Sequence, residues 1–239
     1  MTRPESEARL IRVATALGDL LDEVTFIGGA IAPLLHVDSP FDRPRPTVDV
    51  DAVIGTSSYA AVGRLHERLR ARGFRQDPST PHHVHRWVSP ARDLLDLVPT
   101  GDHLGGTGQC WEALAISTAQ PCSIAGGPTI RHASAPAFLA LKWAAFGDRG
   151  AGDPLVSHDL EDILSLVASR PSVEAELRAA PEEVARYVAD GFRALRARRD
   201  FDDLLGAHLN NAQDAAAVRR RVRERITRIV EAGDAPESE

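Results

Sequence analysis

Lysine is almost missing from this sequence. Of 28 basic residues, only Lys142 is a lysine; the rest are arginines. Cysteine is scarce too. Cys110 and Cys122 are the only two in 239 residues. That is too few for a disulfide scaffold or a four-cysteine zinc site, and it suits a reducing compartment. No apolar run reaches the roughly 18–20 residues of a transmembrane helix. The opening stretch, MTRPESEARL, lacks the apolar core of a signal peptide. The expectation is therefore a cytoplasmic protein with no membrane partner. Positive charge is not in excess: a formal net charge of −6 excludes a generally basic nucleic-acid coat. A hydrophobic share of 43% is ordinary for a chain that buries a core. The length allows one large domain or two small ones.

The single lysine carries information because arginine replaces lysine everywhere else. A solvated surface cation tolerates that exchange. A site needing a compact ammonium does not, because the two groups differ in shape, hydration and pKa behaviour. Lys142 is therefore a candidate functional residue.

Hydrophobic periodicity divides the chain. Residues 5–21 have apolar positions at helical spacing, residues 24–27 form a short apolar strand, and Gly28-Gly29 leads into a helix over 30–36. Residues 47–54, TVDVDAVI, alternate valine with aspartate and predict the clearest strand in the chain. An amphipathic helix over 59–73 stops at Gly73. Short strands are expected at 74–76, 84–88 and 94–98, and a turn or weak strand at 122–131. Helices are expected at 135–146, 158–168, 172–179, 181–205 and 214–230. Strands and helices mix up to about residue 131, and helices follow alone. This places an α/β unit over residues 1–131 and a helical domain over 132–239.

Asp49 and Asp51 sit two apart on the predicted strand, so their side chains leave the same face. Paired carboxylates repel, and a divalent cation such as Mg²⁺ relieves the repulsion while keeping positions open for phosphate oxygens. Asp96, on another predicted strand, joins them if the strands pair. Three such carboxylates suit metal-assisted phosphoryl transfer. The bland reading is a solvent-facing strand with ordinary aspartates. Upstream, bare Gly28 and Gly29 let backbone N–H groups approach a phosphate at a helix start, although a tight strand-to-helix turn also favours glycine.

The strand ending in Gly28-Gly29, followed by a helix and then Arg45, Thr47, Asp49 and Asp51 at alternate positions, resembles the DNA polymerase β-like nucleotidyltransferase superfamily. Within it the chain is most similar to the AbiEii/MenT-type nucleotidyltransferase toxins. These carry a lysine on a helix, an arginine about two turns later and an aspartate at the start of the next helix. Lys142, Arg149 and Asp159 stand in that order here. The resemblance spans roughly residues 24–168. It implies Asp49, Asp51 and Asp96 as metal ligands, Gly28 and Gly29 as the phosphate-facing turn, Lys142 and Arg149 as nucleotide-binding, and Asp159 as an acidic residue needed for activity. Many superfamily members have Gly-Ser where this chain has Gly28-Gly29, which removes one hydroxyl from the phosphate site.

The fold so implied is α+β: a mixed β-sheet flanked by helices, with a C-terminal helical bundle completing the active site. The activity implied is Mg²⁺- or Mn²⁺-dependent transfer of a nucleoside monophosphate from a nucleoside triphosphate. The acceptor would be RNA, such as the 3′ end of tRNA, and the role a growth-inhibiting toxin with a cognate antitoxin. A small-molecule nucleotidyltransferase of the aminoglycoside type, or a catalytically inactive nucleotide- or partner-binding member, are the alternatives. The arginine-rich stretch 219–228 fits RNA phosphates or a solvated helix end equally well. His82, His83 and His85 read as solvated loop residues, and the two cysteines as buried thiols. The loop 101–108 has four glycines but lacks the Lys-Ser/Thr ending of a P-loop.

Overall fold

The computed structural model describes residues 5–42, 45–56, 58–79, 84–100, 111–150 and 152–233. The chain divides into two compact units, Met1–Ile31 with Arg45–Ser134, and Ala32–Pro44 with Ala135–Glu239. In chain order the elements up to residue 134 are α1 (Glu5–Leu17), β1 (Val24–Ile27), α2 (Ala32–Leu35, part of the second unit), β2 (Asp49–Ile54), α3 (Tyr59–Ala71), β3 (Arg75–Gln76), β4 (Arg86–Val88), β5 (Leu94–Pro99), α4 (Trp111–Ser117), β6 (Gln120–Ser123) and β7 (Thr129–His132).

In the first unit the strands form one seven-stranded sheet, ordered β3-β4-β5-β2-β1-β7-β6. β2 runs parallel to β5, and β1 to β7; the other pairs are antiparallel. The predicted alternation appears in the burial of β2, where Val50 and Ala52 are buried and Asp49 and Asp51 are not. The strand begins at Asp49, two residues later than expected, and Val48 lies exposed before it. Leu95 and Leu97 of β5, Val24 and Phe26 of β1, and Leu10, Val13 and Leu17 of α1 are also buried. Each such side chain contributes about 1.5–3 kcal/mol on burial. Arg12 pins α1 to the end of β5 by donating from Nε and Nη2 to the carboxylate of Asp93, at 2.8 and 2.7 Å.

Ser58 caps α3 by accepting from the Ala61 N–H, and Gly73 ends it at φ +83°, a backbone state that glycine adopts without strain. The weak region expected at 122–131 is the β6–β7 hairpin, which turns at Gly126. Helix α4 had no counterpart in the sequence reading. Its seven residues are too few for apolar periodicity to register.

The second unit contains α2, α5 (Ala135–Ala145), α6 (His158–Ser169), α7 (Val173–Ala179), α8 (Glu182–Arg196), α9 (Phe201–Leu209) and α10 (Ala215–Gly233). α5 is buried along most of its length and passes into a π-helical turn, Phe146–Gly150. The expected helix over 181–205 is two helices. The buried stripe Val184, Val188, Phe192, Leu195 would next reach residue 199, which is an exposed arginine. The chain breaks there and starts a new buried face at Phe201, Leu204 and Leu205. Arg198 forks onto Asp200 within the break, with both contacts at 2.8 Å.

The segment after Ile31 joins this unit through its backbone. The N–H groups of Val37 and Asp38 donate to the carbonyl of Ser169, and Arg170 donates to the carbonyl of Leu35. The result is an α+β fold with a mixed sheet, flanking helices and a C-terminal helical set. Among the described residues no helix is long and apolar enough to cross a membrane.

Candidate metal centre

Strand pairing sets out Asp51, Asp96 and Arg86 of the first unit in a row. Ile27 of β1 lies opposite Asp51 of β2, Asp51 opposite Asp96 of β5, and Asp96 opposite Arg86 of β4. Residues opposed on neighbouring strands project to the same side, as does Asp49, two positions before Asp51. Each of Asp49, Asp51 and Asp96 thus offers a carboxylate oxygen, all within 4.8 Å of one another, and each side chain is half-buried. Thr47 Oγ1 lies within hydrogen-bond reach of Asp49 Oδ1, at 3.2 Å, and of the Asp49 carbonyl, at 3.3 Å. The three carboxylates expected to converge do converge.

The turn between β1 and β2 is shaped around Asp51. Gly28 has φ +68°, and a Cβ built there would lie 1.9 Å from Asp51 Oδ2. Glycine is therefore required twice, by the backbone and by the carboxylate that leans on its Cα. Gly29 is also closely covered; a Cβ there would stand 2.8 Å from Arg45 Nη2.

Three carboxylates in this space carry strong mutual repulsion. The donor set fits a hard divalent cation: all oxygen, all anionic, from two adjacent strands, and only partly buried, so that water or phosphate can complete the shell. The protein brings a cation of its own to two of the carboxylates. Arg86 donates from Nε to Asp96 Oδ1 at 2.8 Å and from Nη2 to Asp96 Oδ2 at 2.5 Å. The same Nη2 reaches Asp49 Oδ2 at 3.2 Å. The hydrogen bond to Asp96 raises the guanidinium pKa, burial opposes it, and the charges of Asp96, Asp49 and Asp51 add to the rise. Sequence reading missed Arg86. It fell within a predicted strand, but nothing in one sequence specified which carboxylate would lie across from it.

A separate charged cluster lies in the second unit. Lys142, on the buried helix α5, donates from Nζ to Asp159 Oδ1 at 3.0 Å and pairs with Asp162 Oδ2 at 2.7 Å. Arg149, on the π-helical turn, donates from Nε and Nη2 to the Asp159 carboxylate at 3.0 and 3.2 Å. Lys142, Asp159 and Asp162 are 9%, 5% and 5% exposed, whereas the Arg149 side chain is 72% exposed. Burial lowers the lysine pKa, but Asp162 and Asp159 outweigh it and leave it raised. Burial likewise raises the Asp159 pKa, and Arg149 and Lys142 together bring it below its ordinary value. Lys142, Arg149 and Asp159 therefore meet, joined by Asp162. The sequence signal for Asp162 was its position three residues after Asp159, on one helix face. The cap of α6 is Ser157, accepting from the Leu160 N–H, so Asp159 is free of capping and serves the two cations.

His82, His83, Cys110 and the glycine-rich loop lie outside the described residues. Cys122 is partly exposed on the edge strand β6, not buried as expected, because the hairpin turns that side of the sheet to solvent. His158 is exposed and pairs with Glu161. The arginine-rich helix α10 is mixed. Arg225 donates to the carbonyls of Val167 and Ala168 at the end of α6, Arg228 forks onto Glu174, and Arg223 pairs with Asp202. Among the described residues Arg219, Arg220 and Arg221 have no ion pair.

No protein-family model matches the chain, and no curated protein does. Two solved structures of Helicobacter pylori proteins are similar to it. One, JHP933, superposes with a TM-score of 0.50 at 13% identity, covering 98% of this chain and 95% of its own. The other, provisionally named a nucleotidyltransferase, gives a TM-score of 0.47 at 11% identity and covers 98% of each chain. At so low an identity the first shows a shared fold, extending over nearly the whole of both chains.

Proposed function

We propose that this chain is a metal-dependent nucleotidyltransferase, moving a nucleoside monophosphate from a nucleoside triphosphate to an acceptor hydroxyl. The observation that carries this reading is the triad of Asp49, Asp51 and Asp96 on one face of two adjacent strands, beside a turn kept bare by Gly28. Its residues would hold Mg²⁺ or Mn²⁺, which when bound neutralises phosphate charge and orients the substrate. In the reaction the acceptor oxygen bonds to the α-phosphorus, the bond from that phosphorus to the α–β bridging oxygen breaks, and pyrophosphate leaves. The hydroxyl proton passes to a triad carboxylate, Asp96 in our reading.

The resemblance to the AbiEii/MenT group supports the finer assignments: Gly28 and Gly29 at the phosphates, Lys142 and Arg149 as nucleotide-binding, and Asp159 as essential. The Lys142 ammonium already meets two carboxylates, so Arg149, oriented by Asp159, is the cation this cluster offers to solvent. The same resemblance supports RNA, such as the tRNA 3′ end, as acceptor, a toxin role and an antitoxin partner. The unpaired arginines 219–221 favour a polyanionic acceptor over a cationic small molecule.

The test incubates the protein with each α-phosphate-labelled triphosphate, Mg²⁺ and total bacterial RNA, beside an Asp51→Asn control. The reading requires label in RNA that disappears in the control. Equal labelling by Asp51→Asn, or no transfer to RNA, protein or small acceptors, would overturn it.

A further inference from the structure

We propose that Arg86 is a built-in counter-cation of the carboxylate triad: it competes with the divalent ion for Asp49 and Asp96, and must swing away before Asp96 can serve as a metal ligand. This rests on the reading of the triad as a metal centre. Arg86 faces Asp96 across the β4–β5 ladder, so its position is fixed by backbone register, not by chance surface contact. One nitrogen, Nη2, bridges Asp96 Oδ2 at 2.5 Å and Asp49 Oδ2 at 3.2 Å. A cation shared by those two carboxylates would occupy the same place. Mg²⁺ binds carboxylate oxygens at about 2.0–2.1 Å, so ion and guanidinium cannot both lie between them.

The remaining oxygens are also engaged. Asp96 Oδ1 accepts from Arg86 Nε, and Asp49 Oδ1 accepts from Thr47. With the fork in place, Asp49 and Asp96 are satisfied without metal, and the repulsion that would otherwise draw in an ion is reduced. A nucleoside triphosphate brings phosphate oxygens, the natural replacement partners for a displaced guanidinium. Nucleotide arrival and metal entry are thereby coupled: the ion binds poorly to the free protein and well once triphosphate takes over the arginine. Arg86 thus acts on the ion through the carboxylates and on the arriving triphosphate through its own guanidinium.

The experiment is a Mn²⁺ titration by electron paramagnetic resonance on the full chain, with and without a triphosphate whose α–β bridge is non-hydrolysable. The proteins are wild type, Arg86→Gln, Arg86→Lys and Asp51→Asn. Without nucleotide, Arg86→Gln should bind Mn²⁺ about tenfold more tightly than wild type, the scale of one like-charge interaction in a partly solvated site. Adding the analogue should tighten wild type much more than Arg86→Gln. Arg86→Lys, which keeps the charge but cannot fork, should fall between them, and it carries the test if the glutamine variant does not fold. A prop that merely holds Asp96 in place predicts the reverse, weaker Mn²⁺ binding on its removal. Weaker or unchanged affinity overturns the inference. If Asp51→Asn binds Mn²⁺ like wild type, the metal centre itself is wrong. If Asp51→Asn loses the ion but Arg86→Gln does not gain affinity, only the role of Arg86 fails.

Discussion

Replacing Lys142 by methionine removes a charge and keeps the length of the side chain. The ammonium lies 3.0 Å from Asp159 and 2.7 Å from Asp162, and both carboxylates are 5% exposed. Removing one partner of a buried ion pair costs about 3–5 kcal/mol, because the other charge stays buried without compensation. Arg149 still holds Asp159, which softens the penalty there, and the expected loss is about 3 kcal/mol, the lower end of that range. Adding Asp162→Asn should restore about 1–2 kcal/mol of it, since one of the two buried negative charges is then gone.

The assay is urea denaturation followed by circular dichroism, repeated across pH. The Asp159 pKa is depressed, so its contribution is present above the ordinary carboxylate value of about 4 and fades as pH falls through the lower folded value. The Lys142 pKa is raised, so its contribution is complete below the ordinary lysine value of about 10.4 and fades as pH rises through the higher folded one. The mutational loss should therefore be flat between about pH 5 and 9 and shrink in strong acid. A loss below about 1 kcal/mol, or one that persists unchanged at low pH, would refute the pairing argument. Lys142→Arg should also destabilise, by about 1–3 kcal/mol, because a planar fork does not fit a buried slot shaped for an ammonium.

Three further outcomes follow from the geometry. Gly28→Ala should cost about 1–2 kcal/mol of stability for its positive φ, and should reduce Mn²⁺ binding more severely, because the new Cβ displaces the Asp51 carboxylate; unchanged Mn²⁺ affinity would refute the link between the turn and the triad. Asp49→Asn should abolish transfer while leaving the circular dichroism spectrum and melting temperature near wild type, and retained activity would remove Asp49 from the ligand set. Burial lowers the His36 pKa, with Asp162 opposing and Arg170 assisting. The unfolded chain then takes up that proton first, so stability should fall as pH drops below about 6.5, and His36→Gln should flatten the slope between pH 7 and 5. His66, also lowered by burial, contributes with the same sign and remains in the variant. An unchanged slope in His36→Gln would contradict the assignment.

What could be read in advance followed from period and residue chemistry. The alternation at Asp49 and Asp51 needs only one strand, so its burial pattern was legible. The convergence of Asp96 needed a pairing partner, and the sequence could state it only as a condition, which the β2–β5 register fulfils. Arg86 was invisible for the same reason, since its meaning comes wholly from the strand beside it. Lys142 stood out by composition, yet its two carboxylate partners lie on another helix. The break at residues 197–200 was readable in principle, because the stripe through Val184, Val188, Phe192 and Leu195 runs onto Arg199. Summed helical character hid the change of phase. The placement of residues 32–42 with the helical unit rests on bonds from their backbone to the Ser169 carbonyl and the Arg170 guanidinium, which no local pattern encodes.

The triad as a metal centre that works with a nucleotide is tested directly by a crystal structure of the full chain with Mn²⁺ and a triphosphate whose α–β bridge is non-hydrolysable, using the anomalous signal to locate the ion. The prediction is a Mn²⁺ peak among the carboxylates of Asp49, Asp51 and Asp96, with triphosphate oxygens completing its shell. A bound triphosphate with no ion at these three residues, or an ion held elsewhere in the chain, would contradict it.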